Sequence, residues 1–227
     1  DVPYDSLFGA QKPLELLNYF LRRRGMLTSN VGEAYGFVRS RPDLALPDLE
    51  LIFAPAPYFD EGIGDPYVGH AVVMGPILLK PQSRGSITLR TADPYDKPLI
   101  DPGYLSDSAG ADREALMAGL RMCAEIAKAP ALQGTIGRIA RPLDAQQLDD
   151  ETLSRALESL SHTLYHPVGT CRMGTDDASV VDPELRVRGV RALRVADASV
   201  MPSIIRGHTH APSVLIGEKA ADLIRRT

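Results

Sequence analysis

Residues 83–91, SRGSITLRT, place a Ser83-Arg84-Gly85 turn before a strictly alternating run, Ser86-Ile87-Thr88-Leu89-Arg90-Thr91. Period two puts Ile87 and Leu89 on one face of an extended strand, and a turn of this composition beside it is a hairpin signature. Just upstream, His70 to Leu79 (HAVVMGPILL) is a β-rich apolar run. Pro76 within it has no N–H to give a ladder, so the run predicts an edge strand or a break.

Working outward, Ala34 to Val38 (AYGFV) and Leu49 to Ala54 (LELIFA) read as two further short strands. Three prolines and two glycines between Pro55 and Pro66 predict an irregular excursion. Four segments carry helical spacing. Ala10 to Arg24 repeats Leu14, Leu17, Phe20 and Leu21, with Pro13 in the first turn and Gly25 to end it. Asp112 to Lys128 lines up Leu116, Leu120, Cys123 and Ala127, and Pro130 stops it. Asp150 to Leu160 puts Leu153, Leu157 and Leu160 on one face, and a last helix from Pro212 to Arg225 offers Val214, Leu215, Ala221, Leu223 and Ile224. The fold class is therefore α+β, a mostly antiparallel sheet with helices packed on it, followed by a C-terminal strand-loop-helix of different character.

The 227 residues carry 25 Lys+Arg against 29 Asp+Glu, a net charge of −4, with 44% apolar and 24% charged side chains. That is ordinary globular composition, long enough to bury a core. An acidic balance without a long basic run argues against nucleic acid as a partner. The one basic cluster, Arg22-Arg23-Arg24, complements a helix C-terminus. No apolar run approaches the about 18 residues of a membrane span. Cys123 and Cys171 belong to no C-x-x-C pair, so two reduced thiols in a cytoplasmic protein are expected, with peripheral membrane association the alternative. The chain opens on Asp1 without a signal-peptide pattern, from which we expect a piece of a longer protein.

Three of the five histidines fall in two segments rich in Gly and Pro: Tyr165 to Gly174 (YHPVGTCRMG), and Gly207 to Pro212 (GHTHAP) directly before the last helix. Glycine and proline fix turns and let a ligand approach the main chain. A helix N-terminus offers unsatisfied N–H groups and a positive dipole end to an electron-rich group. Spacing alone leaves two other readings open. The histidines serve as turn or capping residues, or His166, His208 and His210 supply imidazoles to a metal; no Asp, Glu or Cys stands at familiar ligand spacing, so no metal is expected.

The chain resembles the C-terminal portion of the glucose–methanol–choline (GMC) oxidoreductases, flavoenzymes that oxidise alcohols, in their choline dehydrogenase and alcohol dehydrogenase branch. The resemblance rests on YHPVGTCRMG at 165–174, VVDPELRVRGVRALRVADASVMPS at 180–203 and GHTHAPSVLIGEKAADLI at 207–224. GMLTSN at 25–30, EAYGFVRSR at 33–41 and LKPQSRGSITLRTADPYDKPLIDPGYL at 79–105 resemble the family's substrate-binding region. It implies a connecting helix segment at 1–24, a substrate-binding domain at 25–175 and a segment at 176–227 that completes the FAD-binding domain.

The resemblance further implies oxidation of a small-molecule alcohol to an aldehyde or ketone with FAD as cofactor. His166 would be the general base, a role suited to an imidazole titrating near neutrality. The partner histidine, counted eight residues back from Glu218, is His210, which would steady the developing alkoxide by a hydrogen bond. Asp197 and Ala198 are implied beside the ribityl–pyrophosphate, and His210, Ala211 and Pro212 along the flavin ring. For Asp197 a capping role is the competing reading.

One departure stands out. The family holds the ADP part of FAD with G-x-G-x-x-G, and here Gly62-Ile63-Gly64 is followed by Asp65-Pro66-Tyr67. The partners implied are a missing N-terminal FAD-binding half and an electron acceptor such as oxygen or a quinone, and this piece alone is expected to bind FAD weakly or not at all and to oxidise nothing. A hydroxynitrile lyase on the same scaffold and a non-catalytic binding module are the alternatives. A choline pocket wants aromatic faces and a carboxylate. With no Trp and 6% aromatics, an apolar primary or secondary alcohol is favoured, although Tyr35, Phe37, Tyr58, Phe59 and Tyr67 remain candidates to line a cavity.

Overall fold

The computed structural model describes residues 12–56, 71–142 and 145–226. The expected helix start at Ala10, most of the Pro55–Pro66 excursion with Gly62-Ile63-Gly64, the side chains Tyr58, Phe59 and Tyr67, and His70 lie outside the described residues. The chain divides into two compact units, residues 1–78 with 113–161, and residues 79–112 with 162–227.

In the first unit β1 (Ala34–Val38), β2 (Leu49–Ala54) and β3 (Val73–Leu78) form an antiparallel sheet in the order β1-β2-β3. Pro76 pairs with Leu51 on β3, which is an edge strand among the described residues, as its missing N–H requires. Leu49 is fully buried. Under it runs α2 (Ala111–Ala127), seated so closely that a Cβ on Gly119 would stand 2.4 Å from Pro76 Cβ and 3.1 Å from Leu49 Cδ1. This contact rotates the buried stripe from the one expected. Ala115, Met117, Cys123 and Ala124 are buried, while Leu116 and Leu120 are only half-buried. The missing side chain of Gly119 lets the helix approach the sheet. Burial pushes the Cys123 thiol up to about 11, and both cysteines are free.

Helix α3 (Asp150–Leu160) follows the predicted span, and Asp149 caps it by accepting from the Thr152 N–H at 2.9 Å. Two arginines of α2 reach α3: Arg121 forks Asp150 with both bonds at 2.8 Å, and Arg113 meets Glu158 at 2.8 Å. These pairs are exposed, so they orient the helices more than they stabilise them. Helix α1 (Lys12–Arg22) leaves Leu14, Leu17, Phe20 and Leu21 exposed and buries Glu15.

In the second unit the alternating run at Ser86 forms only a three-residue strand, β4 (Ser86–Thr88). Its partner is β5 (Leu99–Asp101), with Ile87 opposite Ile100. The β5 segment is too short to show a period, which is why the sequence did not mark it. The loop before β4 is clamped by Asp112, 3% exposed, whose two carboxylate oxygens accept the Gln82 and Ser83 N–H groups at 2.8 Å each. Asp112→Ala is expected to cost about 2 kcal/mol, because two part-buried N–H donors lose a charged acceptor that is itself buried. An unchanged urea midpoint would show that water replaces the carboxylate.

The remaining core of this unit is Val181, Leu185, Val200 and Ala220, with Met173, Val187, Val195, Ile216 and Leu223 packed around it. Helix α4 (His210–Arg225) starts two residues before the predicted Pro212. Of the apolar residues expected to hold α4, Leu223 joins this core, whereas Val214, Leu215 and Ile224 are exposed. Both sheets pair antiparallel and the architecture is α+β. No helix among the described residues is long and apolar enough to cross a membrane.

Candidate functional site

All the site residues named from sequence belong to the second unit. The loop carrying His166 is laced to residues 199–200: the Cys171 N–H donates to the Ser199 carbonyl at 3.0 Å and the Met173 N–H to that of Val200 at 2.8 Å. Directly before His166, Tyr165 takes a positive φ of 61°. For a bulky residue that conformation costs on the order of 1–3 kcal/mol and persists only where surrounding bonds impose it. Its N–H is taken by Thr163 Oγ1 at 3.0 Å.

His166 is half-buried and paired at both ring nitrogens. Nε2 lies 2.8 Å from His208 Nδ1, with ring centroids 4.8 Å apart and planes at 83°. Nδ1 lies 2.8 Å from Thr209 Oγ1, and the Thr209 N–H approaches the same nitrogen at 3.4 Å. The segment that delivers His208 and Thr209 turns at Gly207, whose φ of 149° suits glycine alone.

The structure brings His208, not His210, to His166. His210 is exposed and is the first residue of α4, so the helical backbone sets its direction, while His208 precedes the helix. The helix start decides which histidine of GHTHAP faces the loop, and placing it at Pro212 conceals that. Spacing does not single out Thr209, although Thr in front of a helix is an N-cap signal.

Asp197 is exposed and caps the single 3-10 turn Ala198–Val200, its Oδ1 accepting from the Ser199 N–H at 2.8 Å and from Ser199 Oγ at 2.5 Å. Ala211 and Pro212 follow His210 in the first turn of α4. Thr209 makes no side-chain cap bond to the first turn of the helix. Behind the His166 loop, Arg172 forks Asp176 at 2.9 and 2.6 Å, and those hydrogen bonds bring the Asp176 carboxyl down to about 2. A depressed carboxylate supports the fold above its ordinary range and loses that support as pH falls towards 2; at this exposure the effect is small. In the other unit Tyr35 and Phe37 share one face of β1, edge to face at 6.1 Å, both exposed. Among the described residues no group of three His, Cys, Asp or Glu has metal-binding geometry.

A family profile, GMC oxidoreductase, matches residues 81–217. An uncharacterised GMC-type oxidoreductase of Mycobacterium tuberculosis is 71% identical over 225 residues, 99% of this chain and 42% of that protein. An alcohol dehydrogenase [acceptor] of Pseudomonas putida is 45% identical over 211 residues, 93% of this chain and 38% of that one. Among solved structures, a formate oxidase variant from Aspergillus oryzae superposes with a TM-score of 0.79 at 28% identity, covering 96% of this chain and 42% of that one. The chain thus spans less than half the length of the relatives it matches.

Proposed function

The chain belongs to the GMC oxidoreductase family, and from that premise we propose that it is the C-terminal part of an FAD-dependent enzyme that oxidises an alcohol to an aldehyde or ketone. The observation that carries this reading is the contact of His166 Nε2 with His208 Nδ1 at 2.8 Å. Two imidazoles meeting edge to face provide one nitrogen to take a hydroxyl proton and a second to donate to the oxygen that lost it. The substrate hydroxyl enters between them and replaces their mutual bond. His166 acts as general base, and His208 holds the developing alkoxide, the role the sequence had given to His210.

The residues present fit the flavin. The uncapped first turn of α4 suits an electron-rich carbonyl, so His210 and Ala211 would hold the ring through backbone N–H groups, with Pro212 beside them. Asp197 and Ala198 would lie along the ribityl–pyrophosphate, since the Asp197 carboxylate keeps acceptor capacity beyond its cap. When bound, FAD supplies the acceptor for the hydride that leaves the carbinol carbon. The domain limits follow the same reading: connection at 1–24, substrate domain at 25–175, completion of the FAD domain at 176–227. An N-terminal FAD-binding half is the partner, oxygen or a quinone takes the electrons, an apolar primary or secondary alcohol is the substrate, and the cytoplasm is the site of action.

The test is anaerobic mixing of the complete flavin-loaded protein with a panel of alcohols. Bleaching of the flavin absorbance by at least one of them is expected. Unbleached flavin with release of cyanide from a hydroxynitrile would establish the lyase instead. The 227-residue chain alone is expected to carry no stoichiometric flavin.

A further inference from the structure

Thr209 occupies a cap position without capping. It is 5% exposed and directly precedes α4, where a threonine hydroxyl ordinarily accepts an N–H of the first turn, yet it makes no side-chain cap bond. Its hydroxyl is placed 2.8 Å from His166 Nδ1 instead. The residue itself is held firmly, because its carbonyl accepts both the Ser213 N–H at 3.0 Å and Ser213 Oγ at 2.7 Å. A helix start is thereby used to fix a side chain on a loop 43 residues earlier in the chain.

We infer that Thr209 is a positioning residue for His166, fixing the ring and keeping its lone pair on Nε2 through the Nδ1–H to Oγ1 hydrogen bond. A neutral imidazole has one N–H, and the bond made by one nitrogen sets what the other can do. With the proton on Nδ1, Nε2 is the acceptor that a general base needs, and Nε2 is the nitrogen that faces His208. The Thr209 backbone N–H, 3.4 Å from Nδ1, favours the opposite tautomer, but it is at the long end of hydrogen bonding while the hydroxyl contact is at its optimum. This inference rests on the general-base reading only for its effect on rate.

Two measurements separate the inference from that reading. In protein labelled with 15N-histidine and held near pH 8, His166, identified by the signals lost in His166→Gln, is expected to show its proton on Nδ1. Thr209→Ser retains that pattern, and Thr209→Val moves the proton to Nε2. A wild-type ring already protonated on Nε2, or a Val variant with an unchanged pattern, overturns the inference. In the complete flavin-loaded protein, Thr209→Val is expected to slow flavin reduction about 10- to 100-fold with little change in KM, and Thr209→Ser to recover most of it. Equal loss in Ser and Val would mark a packing role and also overturn it. A shifted tautomer with an unchanged rate supports Thr209 as the positioning residue and removes His166 from base catalysis.

Discussion

Replacing His166 by alanine in the complete flavin-loaded protein is expected to slow alcohol-driven flavin reduction by about two to four orders of magnitude. The loss belongs to the chemical step, so kcat falls while substrate binding changes little. His166 makes ring contacts at 2.8 Å with Thr209 and His208 from a loop fastened to residues 199–200 and strained at Tyr165. On the proposed reading, such fastening holds the general base in place for proton transfer. Stopped-flow absorbance under anaerobic conditions measures the rate directly. Reduction at the wild-type rate would falsify the base assignment.

His208→Ala is the second large effect, about 100- to 1,000-fold on the same rate, because on the proposed reading it removes the donor that holds the alkoxide. His208→Asn is expected to keep more activity, since an amide N–H reaches towards the same position. His210→Ala is expected to fall well short of the His208→Ala loss, because the histidine side chain at the first helical position makes no hydrogen bond to His166 among the described residues. Combining His166→Ala with His208→Ala should cost little more than the first alone, as the two rings act as a unit. If His210→Ala proves the more damaging, the pairing seen in the structure is not the catalytic one.

Much of the fold was legible where periodicity runs long enough to declare itself. The strands at Ala34–Val38 and Leu49–Ala54 and the helix at Asp150–Leu160 lie where alternation and helical spacing put them. Leu99–Asp101 is three residues long and has too few positions to show any period. Of the expected α2 stripe Cys123 is buried while Leu116 and Leu120 are half-buried, because spacing ranks leucine above alanine and glycine, whereas the close seat of Gly119 on Pro76 admits only a small residue there. At the site, the two histidine segments were legible from their Gly and Pro content. Choosing between His208 and His210 required the helix start, and boundaries are what local patterns define least sharply. Thr209 was hidden for a related reason: a cap residue whose hydroxyl is turned away from its helix looks, in sequence, like any other cap.

The seat of Gly119 on Pro76 binds the history of two distant positions together. A larger residue at 119 is tolerable only if Pro76 and Leu49 both give way, so position 119 cannot gain volume alone. A redesign that enlarges the helix at 119 therefore has to reshape the strand it rests on in the same step.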